Sequence, residues 1–413
     1  FPTRRSSDLE ESPLYSSRFT DVAAYYASNP NEVTIVLSDP NDRLPCLLDF
    51  PIIPAFSLTD NGPVGTGPFA RGEGDVMSVN PHWWQGPENI QISSVRLYSS
   101  ASAEDTRDNF EIDSVHLVYN NPNASTAATF HCDYELWNSR GTVMQYIGFN
   151  MDEGIFTDTA TRAALTRCID RGEVAETVYH NFADPASLPV APSSSLYDQE
   201  LASRFSFTTV AAARTELTAA GYFRMGAQPT PSPSPSPTPG VEEEPEAAPS
   251  PSPSGQVLGP NSIIMLVRSG NLRRVAAARA VAGQLTEIGF TVTVKEYEGD
   301  EFYYNINTAQ WDLFYDEVVL KPDFDLRPLL SGGGILNANH FPGTIELENL
   351  FSQAMENSGN CYDLYSEIME QGYLCPTLFV NNAVFTTRGV FHGLDPTPDN
   401  IFANITGVSV GRG

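Results

Sequence analysis

From Gln228 to Ser254 proline alternates with serine or threonine, reading PTPSPSPSPTPG, then EEEPE, then PSPSPS. Such a tract has no apolar face to bury and adopts extended, solvated polyproline-II states, so it stands outside any packed core. A chain that carries it has either two domains, ending near Phe223 and starting near Asn261, or one domain with a loop insertion. The elements on either side decide between these.

Upstream, Thr208 or Thr209 is placed to cap a helix through Val210, Ala213, Leu217 and Ala220, with Gly221 just past its end. Downstream, Ile263–Val267 reads as a short buried strand, followed by a helix from Leu272 to Ile288 that Gly289 closes. Phe290, Val292 and Val294 then alternate as a second strand. A strand, helix and strand of this length make a parallel crossover, so the C-terminal region is α/β. Val33–Leu37, Val95–Tyr98 and Met144–Asn150 are further strands. Thr157 or Asp158 caps a helix through Leu165, Cys168 and Ile169 to Arg171. Leu347, Leu350, Phe351 and Ala354 form one amphipathic stripe, and Leu364, Tyr365, Ile368 and Met369 another, both facing a core.

The 413 residues are 41% hydrophobic, enough for one large core or two to three ordinary ones. The 23 Lys and Arg against 51 Asp and Glu give a formal charge of -28, whose field repels polyanions and disfavours nucleic acid as a partner. With 18% charged and 11% aromatic residues, this is a folded protein with an acidic skin. No stretch approaches the roughly 20 apolar residues that span a bilayer. Phe1–Leu9 (FPTRRSSDL) resembles a translated sequencing adapter, the alternative being a natural basic terminus; on the first reading, any signal peptide or lipid anchor is lost upstream. Cys46, Cys132, Cys168, Cys361 and Cys375 contain no C-x-x-C. They read as buried free thiols, although Cys361 and Cys375 are near enough in sequence to pair.

Catalytic patterns are scarce. Gly65-Thr66-Gly67-Pro68-Phe69 begins like a phosphate-cradling loop, yet it lacks a third glycine, and Pro68 removes a backbone donor. There is no G-x-S-x-G, no Walker sequence and no H-E-x-x-H, and the six His lie far apart. The sequence therefore implies no catalytic residue, no metal and no cofactor; chance pairs among its acids leave a glycosidase-type dyad open. Aromatic and amide residues cluster at strand ends in Trp83-Trp84, Tyr146–Asn150 and Trp311–Asp316. Rigid apolar walls with polar tips suit a ligand cleft, and equally suit hinge packing or core.

Several segments then fall in a familiar order. Gly65-Thr66-Gly67-Pro68-Phe69 and Asn80-Pro81-His82-Trp83-Trp84-Gln85-Gly86 resemble the GTGPY and N-x-x-Y-W-x-G segments of family 5 solute-binding proteins, the oligopeptide- and dipeptide-binding components of bacterial ABC importers. Phe110-Glu111-Ile112-Asp113, Ile147-Gly148-Phe149-Asn150, Phe156-Thr157-Asp158, Arg162-Ala163-Ala164-Leu165, Ile169-Asp170-Arg171, Ala219-Ala220-Gly221-Tyr222 and Trp311-Asp312-Leu313 continue the pattern over about residues 20–400. The resemblance implies a two-lobed, periplasmic-binding-protein-like α/β fold of class II type, with mixed sheets, flanking helices and an incomplete N-terminus. It makes residues 10–60 the remnant of an accessory domain and 61–190 part of lobe I. Lobe II is then 191–380, with the Pro/Ser tract as an insertion over 228–256, and 381–413 return to lobe I.

The same resemblance implies an extracytoplasmic, non-enzymatic and monomeric binding protein. It would capture peptides or similar small solutes and pass them to permease subunits, either in a periplasm or as a lipoprotein on a Gram-positive-type surface. The ligand cleft would be built from Tyr146, Phe149 and Asn150 on one side and Glu317, Lys321, Asp323 and Asp325 on the other. Peptide-binding members carry an Asp in W-x-x-D-Y-x-D-P for the ligand's α-amino group. Here Asp316 to Asp325 has no Trp and places Lys321 near the expected acid, so either Asp323 or Asp325 serves, or Lys321 neutralises it. A secreted hydrolase of cell-wall or dietary polymers and a surface sensor or adhesin are the rival readings.

Overall fold

The computed structural model describes residues 16–29, 31–48, 65–124, 127–221, 262–308, 310–338, 341–398 and 400–411. The adapter-like segment 1–9, most of the loop between the hairpin and Gly65, and the Pro/Ser tract 228–256 lie outside the described residues. The strands are β1 (Val22–Asn29), β2 (Glu32–Leu37), β3 (Phe69–Arg71), β4 (Val76–Val79), β5 (Ser94–Arg96), β6 (Leu117–Asn120) and β7 (Tyr134–Phe149), then β8 (Ala183–Pro185), β9 (Ser262–Arg268), β10 (Thr291–Tyr297), β11 (Leu313–Val319), β12 (Cys375–Thr387), β13 (Phe391–His392) and β14 (Ser409–Val410). The helices are α1 (Ala103–Glu111), α2 (Thr159–Thr166), α3 (Arg171–Thr177), α4 (Gln199–Ser203) and α5 (Val210–Ala219), then α6 (Leu272–Ile288), α7 (Gly299–Thr308), α8 (Arg327–Leu330), α9 (Ile345–Glu356) and α10 (Cys361–Gln371).

A seven-stranded mixed sheet in the order β10-β9-β11-β7-β12-β6, with β8 also on β12, organises the larger lobe. β9 pairs in parallel with β10, from Ser262↔Thr291 to Arg268↔Tyr297, and in parallel with β11 on its other side. This is the crossover that the Ile263 to Val294 pattern predicts. Strand β9 is apolar on both faces: Leu266 belongs to one buried layer, while Ile263, Met265 and Val267 belong to the other. Helix α6 covers the second layer with Val275, Ala278, Val281 and Leu285, and α7 covers the first with Phe302 and Ile306. Successive crossovers thus lie on opposite faces, and the chain reverses direction across the sheet between β9 and β11. In open α/β sheets such a reversal is where ligands bind, at the carboxyl ends of the strands.

Local signals explain most helix ends. Thr209 accepts from the Ala212 amide to start α5, and Gly221 takes φ +94 beyond it. Asn271 accepts from the Arg273 and Arg274 amides at the head of α6, and Gly289 closes it at φ +132. Asp158 starts α2, but the single helix expected through to Arg171 is two helices. The Asp170 carboxylate accepts from the Glu173 amide and so begins α3. The expected strand at Met144–Asn150 is the second half of β7, a 16-residue strand that ends at Phe149.

The smaller lobe holds the antiparallel sheet β3-β4-β5, the β13-β14 pair, α1 and the far halves of β7 and β12. Its apolar groups are Trp83, Ile90, Ile92, Val384, Leu394 and Val408 on one side and Phe110, Phe130, Ala383 and Phe385 on the other. Residues 144–190 share the two large buried layers with residues 201–379. The β1-β2 hairpin is mostly exposed, and the chain after it docks on the larger lobe. Asp42 N–H donates to Met355 O at 3.0 Å, Ser358 N–H donates to Asp42 Oδ2 at 2.8 Å, and Arg43 Nη1 donates to Asp323 O at 2.6 Å.

All five cysteines are unpaired, and Cys168, Cys361 and Cys375 are buried. Titration of the unreduced, guanidinium-unfolded chain with a thiol reagent should therefore return five thiols; a lower count would contradict the structure. Gly148 faces Phe314 across β7 and β11 so closely that a Cβ would enter the ring's van der Waals envelope. Gly148→Ala should cost about 1–3 kcal/mol through overpacking, read as a fall in Tm. An unchanged Tm would show that the ring has room to move.

Candidate functional site

Two strands run through both lobes. β7 and β12 pair from Ile147↔Cys375 to Val143↔Val380 in the larger lobe and from Ser139↔Asn382 to Tyr134↔Thr387 in the smaller one. Between these runs the ladder breaks: Arg140, Gly141 and Thr142 stand opposite the single residue Asn381. The break leaves alternation intact, so Asn138, Arg140, Met144 and Tyr146 share one face and Ser139, Val143, Gln145 and Ile147 the other. Asn381 is fully buried with neither side-chain amide atom partnered among the described residues, and the buried Ser139 hydroxyl, on the strand opposite, is in the same state. Left-handed backbone at Phe324 (φ +52), His180 (φ +50) and Asn181 (φ +65) flanks this crossing. Phe324 packs edge-on against Phe379 of β12, and Phe182 O accepts from the Asn381 backbone N–H.

The sequence-expected residues fall in three places. Tyr146 is 4% exposed and stands edge-on to Phe314 with ring centroids 5.6 Å apart. Burial pushes its phenol up, and the neighbouring Asp316 adds to that. Phe149 points to the opposite face and packs on Phe156 at 5.3 Å, deep in the second buried layer. Asn150 lies past the end of β7, at the pole of the sheet away from the crossing. Its Nδ2 donates to Trp311 O at 2.9 Å, and its Oδ1 accepts from the Asp152 and Glu153 amides. Phe149 and Asn150 therefore build core and turn, and they do not join Tyr146 in one cleft wall.

Glu317 belongs to a polar group beneath α6. Its Oε1 meets Arg274 Nη1 at 2.7 Å, and its Oε2 accepts from Gln145 Nε2 at 3.1 Å. Arg274 is 4% exposed and spends its other donors on Arg268 O and Ser269 O, which fixes the β9–α6 turn. Asp316, on the other face, meets Arg268 at 2.9 Å. Burial holds its carboxyl above the usual range, partly offset by Arg268 and Arg274.

Lys321, Asp323 and Asp325 lie on the loop from β11 to α8, whose first amide, at Leu320, donates to Thr142 O at 3.0 Å. Lys321 Nζ lies 3.1 Å from Asp325 Oδ2, and Arg327 grips the same carboxylate with Nε at 2.9 Å and Nη2 at 3.0 Å. Arg327 Nη2 also meets Asp21 Oδ2 at 2.8 Å. Burial alone would raise Asp325, but the Arg327 hydrogen bonds and the Lys321 charge outweigh it and hold the carboxyl below its ordinary range. Asp323 is fully buried beside Asn41 and accepts from the Asp325 amide at 3.3 Å. Of the two arrangements open from sequence, the geometry is the one in which Lys321 neutralises the acid.

A pocket of about 480 Å3 opens at the crossing. Asn138 and Arg140 of β7 form one wall, Ser193 reaches in from the larger lobe, and Leu394, Asp395 and Pro396 close it from the smaller lobe. Arg140 lies 3.8 Å from Asp184 of β8 and is 60% exposed. None of these residues was expected from sequence; a glycine interrupting a strand in Ser139-Arg140-Gly141 was the available signal, because such glycines mark bulges. A larger groove of about 1160 Å3 lies within the smaller lobe, between β5 and β6. Its walls come from that lobe alone, so closure of two lobes would not enclose it.

The buried ion cluster makes a testable demand. Because the folded-state value of Asp325 lies below its ordinary one, its stabilisation is present above about pH 4 and is lost as pH falls through the folded value. The Tm advantage of the native chain over Asp325→Asn should shrink below about pH 4, and a gap that stays constant from pH 7 to pH 3 would contradict the pairing. Arg327→Met, which strands a buried carboxylate beside Lys321 alone, should cost about 3 kcal/mol at pH 7.

HbpA2 from Haemophilus parasuis superimposes with a TM-score of 0.70 at 15% identity, over 99% of this chain and 80% of that one. A nickel ABC transporter protein from Bacillus halodurans gives 0.69 at 17% identity, over 94% and 79%. The oligopeptide-binding protein AppA from Bacillus subtilis, in complex with a nonapeptide, gives 0.55 at 18%, over 96% and 80%. In sequence, heme-binding protein A of Haemophilus influenzae is 24% identical over 149 residues, a stretch that spans 27% of that relative. The family model described as bacterial extracellular solute-binding proteins, family 5 middle, matches residues 3–336. The chain belongs to bacterial extracellular solute-binding protein family 5.

Proposed function

We propose that this chain is the substrate-binding component of an ABC importer. It captures a peptide or similar small solute between its lobes and hands it to a permease without covalent chemistry. The observation that carries this reading is the pocket beside the β7-β12 crossing, lined by Asn138 and Arg140 of β7, by Ser193 of the larger lobe and by residues 394–398 of the smaller one. Bending where the ladder breaks moves one wall against the other, which is how a two-lobed binder encloses a ligand. The relatives point the same way: their names speak of an oligopeptide, nickel and heme.

In this reading Tyr146, Glu317, Lys321, Asp323 and Asp325 stiffen the pocket's surroundings, and Arg140, Asn138 and Ser193 meet the solute. The formal charge of -28 suits an exported surface. An N-terminal lipid anchor, a Gram-positive-type surface and a monomeric state complete the proposal.

Thermal-shift titration against tripeptides, a nickel–histidine chelate and heme tests it. One of these classes should raise Tm with increasing concentration, by an amount equivalent to about 2.7 kcal/mol at a hundred times Kd. Turnover of a cell-wall polymer, with no shift from any solute, would overturn it.

A further inference from the structure

We propose that the groove between β5 and β6 is a strand acceptor. An extended segment of a partner polypeptide, apolar at alternate residues and carrying an acid, seats there and hydrogen-bonds to both edges at once. This acceptor is separate from the solute pocket at the crossing.

Two strand edges face the groove with unpaired backbone. In β5 the Leu97 N–H donates to Asp75 O and Ser93 O accepts from the Val79 N–H, so residues 93, 95 and 97 face β4. The N–H and C=O groups of Ser94 and Arg96 therefore point away from it. In β6 the His116 carbonyl accepts from the Thr387 N–H, and the same alternation turns Val118 and Asn120 toward β12. The backbone groups of Leu117 and Tyr119 are thus left pointing away. Among the described residues none of these outward groups has a partner. All four residues line the one groove, of about 1160 Å3.

The connection between the two strands accounts for the gap. β5, α1 and β6 follow one another as strand, helix and strand, a unit that returns its second strand parallel to the first. Here the two strands do not pair: β5 is an edge of the β3-β4-β5 sheet, and β6 is an edge of the seven-stranded one. A strand laid in the groove joins the two sheets into one. Open edges are otherwise a liability, and β6, reading LVYN, has no charge, proline or bulge to guard it.

The side chains around the groove set the occupant's chemistry. Val95 and Leu117 pack on the cluster of Trp83, Ile90 and Val384, with Phe391 and Phe402 beside them, so one face of the occupant meets an apolar floor. Val118 packs instead with Phe110 of α1, and Ser102, Ala103 and Thr106 at the head of that helix line the groove with small and polar groups. A sequence that alternates apolar with small polar residues fits both faces. In a chain with 51 Asp and Glu, no residue lining the groove is acidic. Arg96 is exposed, alternates with Val95 away from the apolar floor, and pairs with no carboxylate among the described residues. It favours an acid on the occupant's polar face.

Hydrogen exchange on the 413-residue chain with the acetylated, amidated hexapeptide SVEVTV tests the acceptor. Exchange should slow together in residues 93–98 and 115–120. The same peptide N-methylated at its valines loses alternate donors and should bind about tenfold more weakly. SVKVTV should bind more weakly than SVEVTV to the native chain, and the preference for the acid should vanish in Arg96→Gln. Ser94→Pro, at the first residue of β5, removes an outward N–H and no bond to β4. It should weaken SVEVTV about tenfold while Tm holds within a few degrees. Protection of one segment alone, an N-methylated peptide that binds as well as its parent, or no binding at millimolar peptide would overturn the acceptor. So would outward amides that already exchange slowly in the peptide-free chain, since the chain's own residues would then fill the groove. Protection of residues 138–143 and 394–398 instead would place the peptide in the crossing pocket, which overturns the acceptor and leaves the importer reading standing.

Discussion

The antiparallel pairing of β7 with β12 is the constraint on which the rest of the molecule depends. Both strands pass from one lobe to the other, and their ladders make each half stiff while concentrating compliance at the break. That break carries the marks of a place where stability is given up. The Ser139 hydroxyl and both amide atoms of Asn381 are buried without partners, each at a cost of about 1–3 kcal/mol. Left-handed backbone at Phe324, His180 and Asn181 adds strain on either side. Leu165, Val267 and Phe314, in the two buried layers of the larger lobe, are by contrast completely packed.

Charge is distributed with the same logic. The surface is strongly acidic, yet the interior relies on arginines that bind carbonyl ends of loops or paired carboxylates. Arg274 ties the β9–α6 turn to Glu317, and Arg327 ties the β11–α8 loop to Asp325 and to the chain after Arg18 through Asp21. These clusters hold the β9–α6 turn and the β11–α8 loop in fixed geometry, which lowers the cost of ordering the surfaces they support.

The sequence carried much of the fold and little of the site. The β9-α6-β10 crossover was readable because apolar periodicity, an Asn cap and a closing glycine agree over Ile263 to Val294. The division of α2 from α3 was missed because Asp170 reads as an ordinary helical residue until its carboxylate is seen accepting from Glu173. Family order pointed to the right region for the loop carrying Lys321 and Asp325, and the sequence left their mutual pairing open. Tyr146, Phe149 and Asn150 looked like one wall because they are neighbours in sequence. A strand sends its side chains to alternate faces, and five paired residues separate Phe149 from the level of Val143. Arg140 escaped notice because nothing in a strand pattern tells an exposed arginine at a bulge from any other.

Hydrogen exchange on the full chain, with and without a saturating solute, tests the central claim most directly, because the crossing pocket and the larger groove draw on different segments. Protection should rise together in residues 138–143, 191–195 and 394–398, the three segments that close on the crossing. Protection confined to residues 91–103 and 114–120, which line the groove inside the smaller lobe, would contradict the account.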